Sequence, residues 1–330
     1  MALPVLLALR AHFADAFLAA AVPKPFAPVL STVAEVDQVV GLNRKRSGRH
    51  RLDAEIEMLR SGAFDLAVLL PNSFGAAWVA RRAGIPERWG AAGNWRRPLL
   101  TQAVSLPPRR SPLLHQAARY QELLRALGIA PVAPEPCLEI SGRMLGLART
   151  LLDAASCDQS RPVIGVAPGA AYGRAKRWLP ERYAHVAARL SGEFDVSVVL
   201  LGSSHDRDAG YEIESILAAM SEAATRKRVL NLIGRTDLSE LMGLLACCRV
   251  LICGDSGAMH LAAAIGLPVT AIFGPTDDRL TAPVGSHKVL TNPVWCRPCF
   301  LRDCPIDHRC MTRISEEQVF RAVSGQLFSS

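Results

Sequence analysis

Three stretches hold residues whose types and spacing suit a phosphate-bearing ligand. In VLICGDSGAMHLAAAIG (250–266) an apolar strand ends, and Asp255-Ser256-Gly257 turns into a helix. Asp255 or Ser256 can cap that helix. The free N–H groups of its first turn, with the helix dipole, favour a phosphate. Gly257 lets backbone come close to a ligand, and His260 lies one turn along on the same face. The plainer reading is a capped α/β helix with a core histidine. APGAAYGRAKRW (167–178) repeats the logic: Gly169 and Gly173 loosen a loop after a strand, and Lys176 and Arg177 bring positive charge. A solvated basic loop is the alternative. Neither stretch is a P-loop, because the GK[ST] ending is missing, and no G-x-G-x-x-G occurs. In LLGSSHDRDAG (200–210) Asp206 stands just past a strand end, where a carboxylate suits ribose hydroxyls or caps a helix. No Ser-His-Asp order, H-E-x-x-H or D-x-D metal pair appears, so hydrolase and metalloprotease chemistry has little support.

A fourth cluster sits near the end. Cys296, Cys299, Cys304 and Cys310 follow C-x2-C-x4-C-x5-C, with His308 between the last two. Four soft ligands in a reducing compartment suit a structural zinc. The spacing is not that of a standard zinc ribbon, and buried thiols or one or two disulfides are the alternative. The other five, Cys137, Cys157, Cys247, Cys248 and Cys253, lie in apolar contexts and read as core residues of a reduced protein.

These residues need strands and helices to place them. In the second half, apolar runs at 162–169, 196–202, 229–234, 250–254 and 268–275 alternate with helical patterns at 180–190, from about 206, at 238–248 and at 256–266. Continuous apolar strands alternating with helices mean a parallel sheet covered on both faces. A helix at 315–328 closes the chain. In the first half, DAFLAAAV, VDQVV and FDLAVLL read as short strands, and 53–61, 74–83 and 113–128 as helices, whereas the Arg-, Pro- and Trp-rich 86–112 reads as loop. The polar CDQSRP (157–162) is the expected join, giving domains 1–158 and 159–330.

The bulk properties agree. Half of the 330 residues are hydrophobic and 21% are charged, which excludes a disordered chain. No run of about 18 apolar residues marks a membrane span. The opening MALPVLLALRAHF has helical period with Pro4 in its first turn, and no basic residue precedes it as a signal peptide requires. Residues 1–160 carry 19 Lys and Arg against 13 Asp and Glu, and the remainder 19 against 17. A basic first half points to an anionic partner: nucleic acid, a membrane surface or an acidic substrate.

PGAAYGRAKRW, GDSGAMHLAAAIGLPVTAIFGPTDD and CRPCFLRDCPIDHRCMTRISEEQV, with LLPNSFGAAWVARRAGIPERWG (69–90), resemble the lipopolysaccharide heptosyltransferases over essentially the whole chain. The resemblance implies an α/β fold of the GT-B type, with two facing Rossmann-like domains, the first binding acceptor and the second an ADP-sugar. It implies inverting, metal-independent transfer of L-glycero-D-manno-heptose from ADP-heptose to an anionic core acceptor, heptosyl-Kdo-lipid A. It implies work in the cytoplasm at the inner face of the inner membrane, with no nucleic acid. Carried over by position, Gly169, Tyr172, Lys176, Asp206, Thr236, Asp255, Ser256, Gly257 and His260 form the donor site. Asn72, Ser73, Arg81 and Arg96 fall on the acceptor side; Gly75 stands where relatives often carry a basic residue, and Arg82 and Arg97 are further sources of charge there.

The family's catalytic base is an aspartate in the first loop, just upstream of a stretch resembling MALP. On this reading MALPVLLALR is the first crossover helix, and the first strand and the base-bearing loop lie before Met1. That leaves two alternatives to the enzyme: a sugar-nucleotide-binding remnant without its base, and a related transferase for a different sugar.

Overall fold

A computed structural model describes residues 1–43, 49–107, 114–133, 135–220 and 223–328. The chain divides into two compact units, Met1–Pro136 and Cys137–Ser330.

In the first unit, α1 (Leu3–His12) opens with Pro4 in its first turn, where the missing N–H costs nothing. It buries Val5, Ala8 and Leu9 against Leu123 and Leu124 of α4 (Gln116–Ala126) and against Ile129. Strands β1 (Ala19–Pro23) and β2 (Gln38–Leu42) pair in parallel, as do β3 (Leu66–Leu69), β4 (Glu87–Ala91) and β5 (Gln102–Val104). Helices α2 (Arg49–Ser61) and α3 (Phe74–Arg82) share a second core of Val40, Ile56, Leu59, Val79 and Ala80.

The segment expected to be loop at 86–112 instead contains β4 and β5, its end from 108 lying outside the described residues. Two of its charged residues, Glu87 and Arg88, find their partners within the segment. Arg88 donates from Nε to the Leu99 carbonyl at 2.7 Å, and its backbone N–H reaches Thr101 Oγ1 at 2.8 Å. Composition hid a strand whose polar side chains bond their own neighbours.

The second unit is one six-stranded parallel sheet in the order β11-β10-β9-β6-β7-β8. Its strands are β6 (Val163–Ala167), β7 (Ser197–Leu200), β8 (Val229–Asn231), β9 (Cys248–Gly254), β10 (Val269–Phe273) and β11 (His287–Thr291). Side chains alternate across the sheet, and each face buries its own core. Ile164, Val198, Val250 and Ile272 pack under α6 (Pro180–Glu193), α7 (Arg207–Met220) and α10 (Glu316–Leu327). Val163, Val199, Leu251 and Ala271 pack under α5 (Gly142–Ala154), α8 (Leu238–Cys247) and α9 (Gly257–Ile265). Both faces are covered, which is why the strands read as unbroken apolar runs. Truncating a fully buried Leu190 or Leu245 to alanine costs about 2–5 kcal/mol.

One boundary and one strand differ from the sequence reading. The division falls about twenty residues before the expected join at 158/159. Helix α5 precedes that join, yet its Ala148 and Leu152 belong to the second core. It crosses α8 at Gly243, where any Cβ would stand within 3.0 Å of the Met144 carbonyl. Strand β11, unseen in the sequence, is an edge strand whose exposed His287 and Lys288 guard its open side.

Candidate functional site

All six strands of the second unit run in parallel, so the loops after β6, β7, β8, β9 and β10 gather along one edge of the sheet. Strand order reverses between β6 and β9, and the edge there is the topological switch point at which open α/β sheets bind ligands. The two phosphate-type turns flank it.

They are joined. Lys176 Nζ lies 2.6 Å from Asp255 Oδ2, with side chains only 12% and 9% exposed. Thr276 Oγ1, from the loop after β10, donates to the same oxygen at 2.8 Å. Lys176 Nζ also stands 4.8 Å from the centre of the Tyr172 ring. Three strand-end loops therefore converge on one carboxylate. Thr276 was missed in the sequence, although GPTDD follows a strand as the other turns do.

Ser256 is the N-cap of α9, yet its side chain makes no capping bond, and its buried Oγ has no hydrogen-bond partner. A Cβ added at Gly257 would meet nothing within 4 Å. The first turn of α9 is thus open, its N–H groups not taken by its own cap, which suits an anion. His260 is partly buried one turn further on. Thr236 is partly buried between β8 and Asp237, the N-cap of α8.

Asp206 caps its helix, one of the two roles its place after a strand allows. Its Oδ2 accepts from Ser203 N at 3.1 Å and Ser203 Oγ at 2.7 Å, closing a capping box, and Oδ1 lies 3.4 Å from Arg177. Its residue is 8% exposed and packs against Gly169, where a Cβ would stand inside 3.0 Å of Cγ and both carboxylate oxygens. The carboxylate thus closes its own turn and packs against the Gly169 loop.

In the first unit, Ser73 caps α3 by accepting from Ala76 N at 3.3 Å, and the Asn72 carbonyl accepts from the Asn94 side chain. Arg81 is exposed and donates to the Pro98 carbonyl at 3.1 Å. Arg96 is a correction: it is fully buried, with Nε donating to the Ala91 carbonyl at 2.8 Å and Nη1 to the Pro71 carbonyl. Burial holds its guanidinium below the usual arginine range, because desolvation disfavours the charged form. It braces the loops around β3 and β4 and is no surface contact. Phe74, Trp78 and Trp95 are exposed nearby in the sequence, Trp95 by 93%.

The four tail thiols line a cavity of about 20 Å³ with His308 and Asp307. All nine cysteines are free thiols. Among the described residues no group of three or more His, Cys, Asp or Glu side chains is placed to hold a metal ion. Burial and the nearness of the other three sulfurs push the Cys310 thiol up. Cys248 and Cys253 are buried and shifted up by burial, as core thiols should be, whereas Cys137 is exposed, contrary to its apolar context. A larger cavity of about 560 Å³, lined by His185, Arg189, Met220, Glu316 and Phe320, includes none of the turn residues.

The family described as "Glycosyltransferase family 9 (heptosyltransferase)" matches residues 53–309. The chain is 35% identical over 291 residues to lipopolysaccharide heptosyltransferase 2 of Escherichia coli strain K12, covering 85% of this chain and 80% of that protein. The protein of the same name from Salmonella typhimurium is 35% identical over 289 residues, with 85% and 80% covered. Among solved structures, E. coli ADP-heptose LPS heptosyltransferase II superposes with a TM-score of 0.81 at 28% identity, over 99% of this chain and 94% of that one. No helix among the described residues is long and apolar enough to cross a membrane.

Proposed function

The chain belongs to glycosyltransferase family 9, and from that membership we propose that it transfers L-glycero-D-manno-heptose from ADP-heptose to the inner core of lipopolysaccharide, as a heptosyltransferase of the second type. The fold is α/β of the GT-B type, as in the solved heptosyltransferase structure it matches. The observation that carries the reading is the Lys176–Asp255 pair across the switch point, beside the open first turn of α9.

Breaking the bond between the sugar and the diphosphate builds negative charge on the departing ADP. Fixed N–H groups at Ser256 and Gly257, with Lys176 beside them, stabilise that charge as it develops. Thr276 holds Asp255, and Asp255 holds Lys176, so the ammonium is in place before substrate arrives. Tyr172, Thr236 and His260 complete the donor set, and Gly169 keeps its loop low over Asp206. The reaction on this reading is inverting and takes its charge stabilisation from these groups.

On the acceptor side the reading keeps Asn72, Ser73 and Arg81 and drops the buried Arg96. The acceptor is the anionic heptosyl-Kdo-lipid A, met at the cytoplasmic face of the inner membrane. Support comes from exposed Phe74, Trp78 and Trp95 on a unit whose sequence is basic, since aromatic rings and cations suit an anionic lipid interface. Co-sedimentation with anionic vesicles should then fall steeply with salt, and binding indifferent to salt and to lipid charge would remove the membrane from the proposal.

The central test is to incubate the purified chain with ADP-heptose and heptosyl-Kdo-lipid A and follow ADP release and acceptor mass. The expected result is a gain of one heptose per acceptor. Protein that binds ADP but transfers another sugar, or none, would overturn the heptose assignment.

A further inference from the structure

From the geometry we infer that Arg302, carried on the cysteine-rich segment, is a further donor-binding residue, supplying the positive charge that the diphosphate of an ADP-sugar requires. This rests on the donor site proposed above.

The Lys176 charge is already matched. Its ammonium sits 2.6 Å from Asp255, and both side chains are nearly buried, so the pair is close to neutral. A nucleoside diphosphate carries more than one negative charge at neutral pH. A neutral pair and a helix N-terminus do not balance it, so a second cation is needed beside Lys176.

Residues 292–308, between β11 and the short helix Arg309–Thr312, form no strand or helix. The segment is nonetheless tied to two of the donor loops. Backbone N–H groups of Cys299 and Phe300 donate to the Pro275 carbonyl at 3.0 and 2.9 Å, next to Thr276. Arg297 pairs with Asp278 at 2.6 Å. Toward the Lys176 loop, Tyr172 Oη donates to the Phe300 carbonyl at 3.0 Å, and Ala175 N donates to the Arg302 carbonyl at 2.8 Å. His308 Nε2, in the tautomer that carries the proton there, donates to the Ala175 carbonyl at 2.6 Å. Gly173 is required by the same approach, because a Cβ there would stand within 3.0 Å of the Arg302 backbone. The Arg302 backbone is therefore fixed from both sides of residue 175.

Its side chain is exposed and lies with Cζ 5.2 Å from the centre of the Tyr172 ring, the ring that also carries Lys176 Nζ at 4.8 Å. Among the described residues Arg302 has no acidic partner. Tyr172 thus holds two cations, one matched by Asp255 and one unmatched. A guanidinium presents two parallel donors that fit adjacent phosphate oxygens, and resting it on a ring lowers the cost of ordering it. The same segment explains what the tail does for the site: it delivers an arginine and pins the loop that carries Lys176.

The test measures ADP and AMP binding by calorimetry for the unmodified chain, Arg302→Gln and Arg302→Lys, with melting temperatures. The expected result is about tenfold weaker ADP binding for Arg302→Gln, a much smaller loss for AMP, a partial recovery in Arg302→Lys, which restores the charge but not the two parallel donors, and unchanged melting. ADP binding by Arg302→Gln equal to that of the unmodified chain would overturn the inference while leaving the donor site intact. Equal losses in the Gln and Lys variants with lowered melting would also overturn it, reducing Arg302 to a brace. No ADP binding by the unmodified chain would overturn both the inference and the donor-site reading.

Discussion

Replacing Gly169 by alanine sets a methyl group against the Asp206 carboxylate. The added Cβ would stand inside 3.0 Å of Cγ and both oxygens, a separation that real Cβ atoms do not show. The backbone at Gly169 is not in the left-handed region, so the demand for glycine here is steric and not conformational. Asp206 cannot simply rotate away: Oδ2 closes the capping box with Ser203, and Oδ1 faces Arg177. Two costs follow. Loss of the cap is worth about 0.5–2 kcal/mol, and forcing an extra carbon into a filled space about 1–3 kcal/mol. A total of about 1.5–5 kcal/mol lowers the melting temperature of a unit of roughly 200 residues by about 3–20 °C. The assay is thermal and urea unfolding of Gly169→Ala, Asp206→Ala and the double variant. Asp206→Ala loses the cap, about 0.5–2 kcal/mol, together with the Arg177 contact, and the double variant should be no less stable than Asp206→Ala alone, because the clash has lost its second partner. Costs that simply add, or a Gly169→Ala protein as stable as the unmodified chain, would refute the reasoning.

Lys176→Ala removes a charged donor and leaves Asp255 nearly buried beside the ligand's phosphates. ADP binding should weaken by roughly 1.5–3 kcal/mol, AMP by less, and adding Asp255→Asn should recover part of the loss, all read by calorimetry. In alkylation with iodoacetamide at pH 8, followed by mass spectrometry, exposed Cys137 should label readily. Cys248 and Cys253 should stay unlabelled until the chain unfolds, because burial raises both thiols and shields them. The four tail thiols line one small cavity, and elemental analysis of reduced purified protein decides their role: one zinc per chain, lost in Cys299→Ser, shows that they hold the metal, and far less than one leaves them as free thiols.

Features that depend on neighbours along the chain are legible in the amino-acid order. Two-sided burial leaves an unbroken apolar run, so β6, β7, β9 and β10 could be located from composition alone. Helix starts are set by residues three apart, so the turn at Ser256 and the capping pattern at Asp206 were legible, although not which task Asp206 performs. Family resemblance carried the donor motifs because those too are local strings. Features that join distant strings come only from packing. Lys176 meets Asp255 across 79 positions, and Tyr172 meets Phe300 across 128. Those meetings follow from the strand order, which sets β6 beside β9 and which no local pattern encodes. The same holds for burial of charge. Arg96 looks like a surface arginine until the carbonyls of Ala91 and Pro71 close around it. Helix α5 looks like the end of the first domain until Gly243 lets it press onto α8. A residue's type fixes which partners it can accept, and only the packed sheet fixes which of them come within reach.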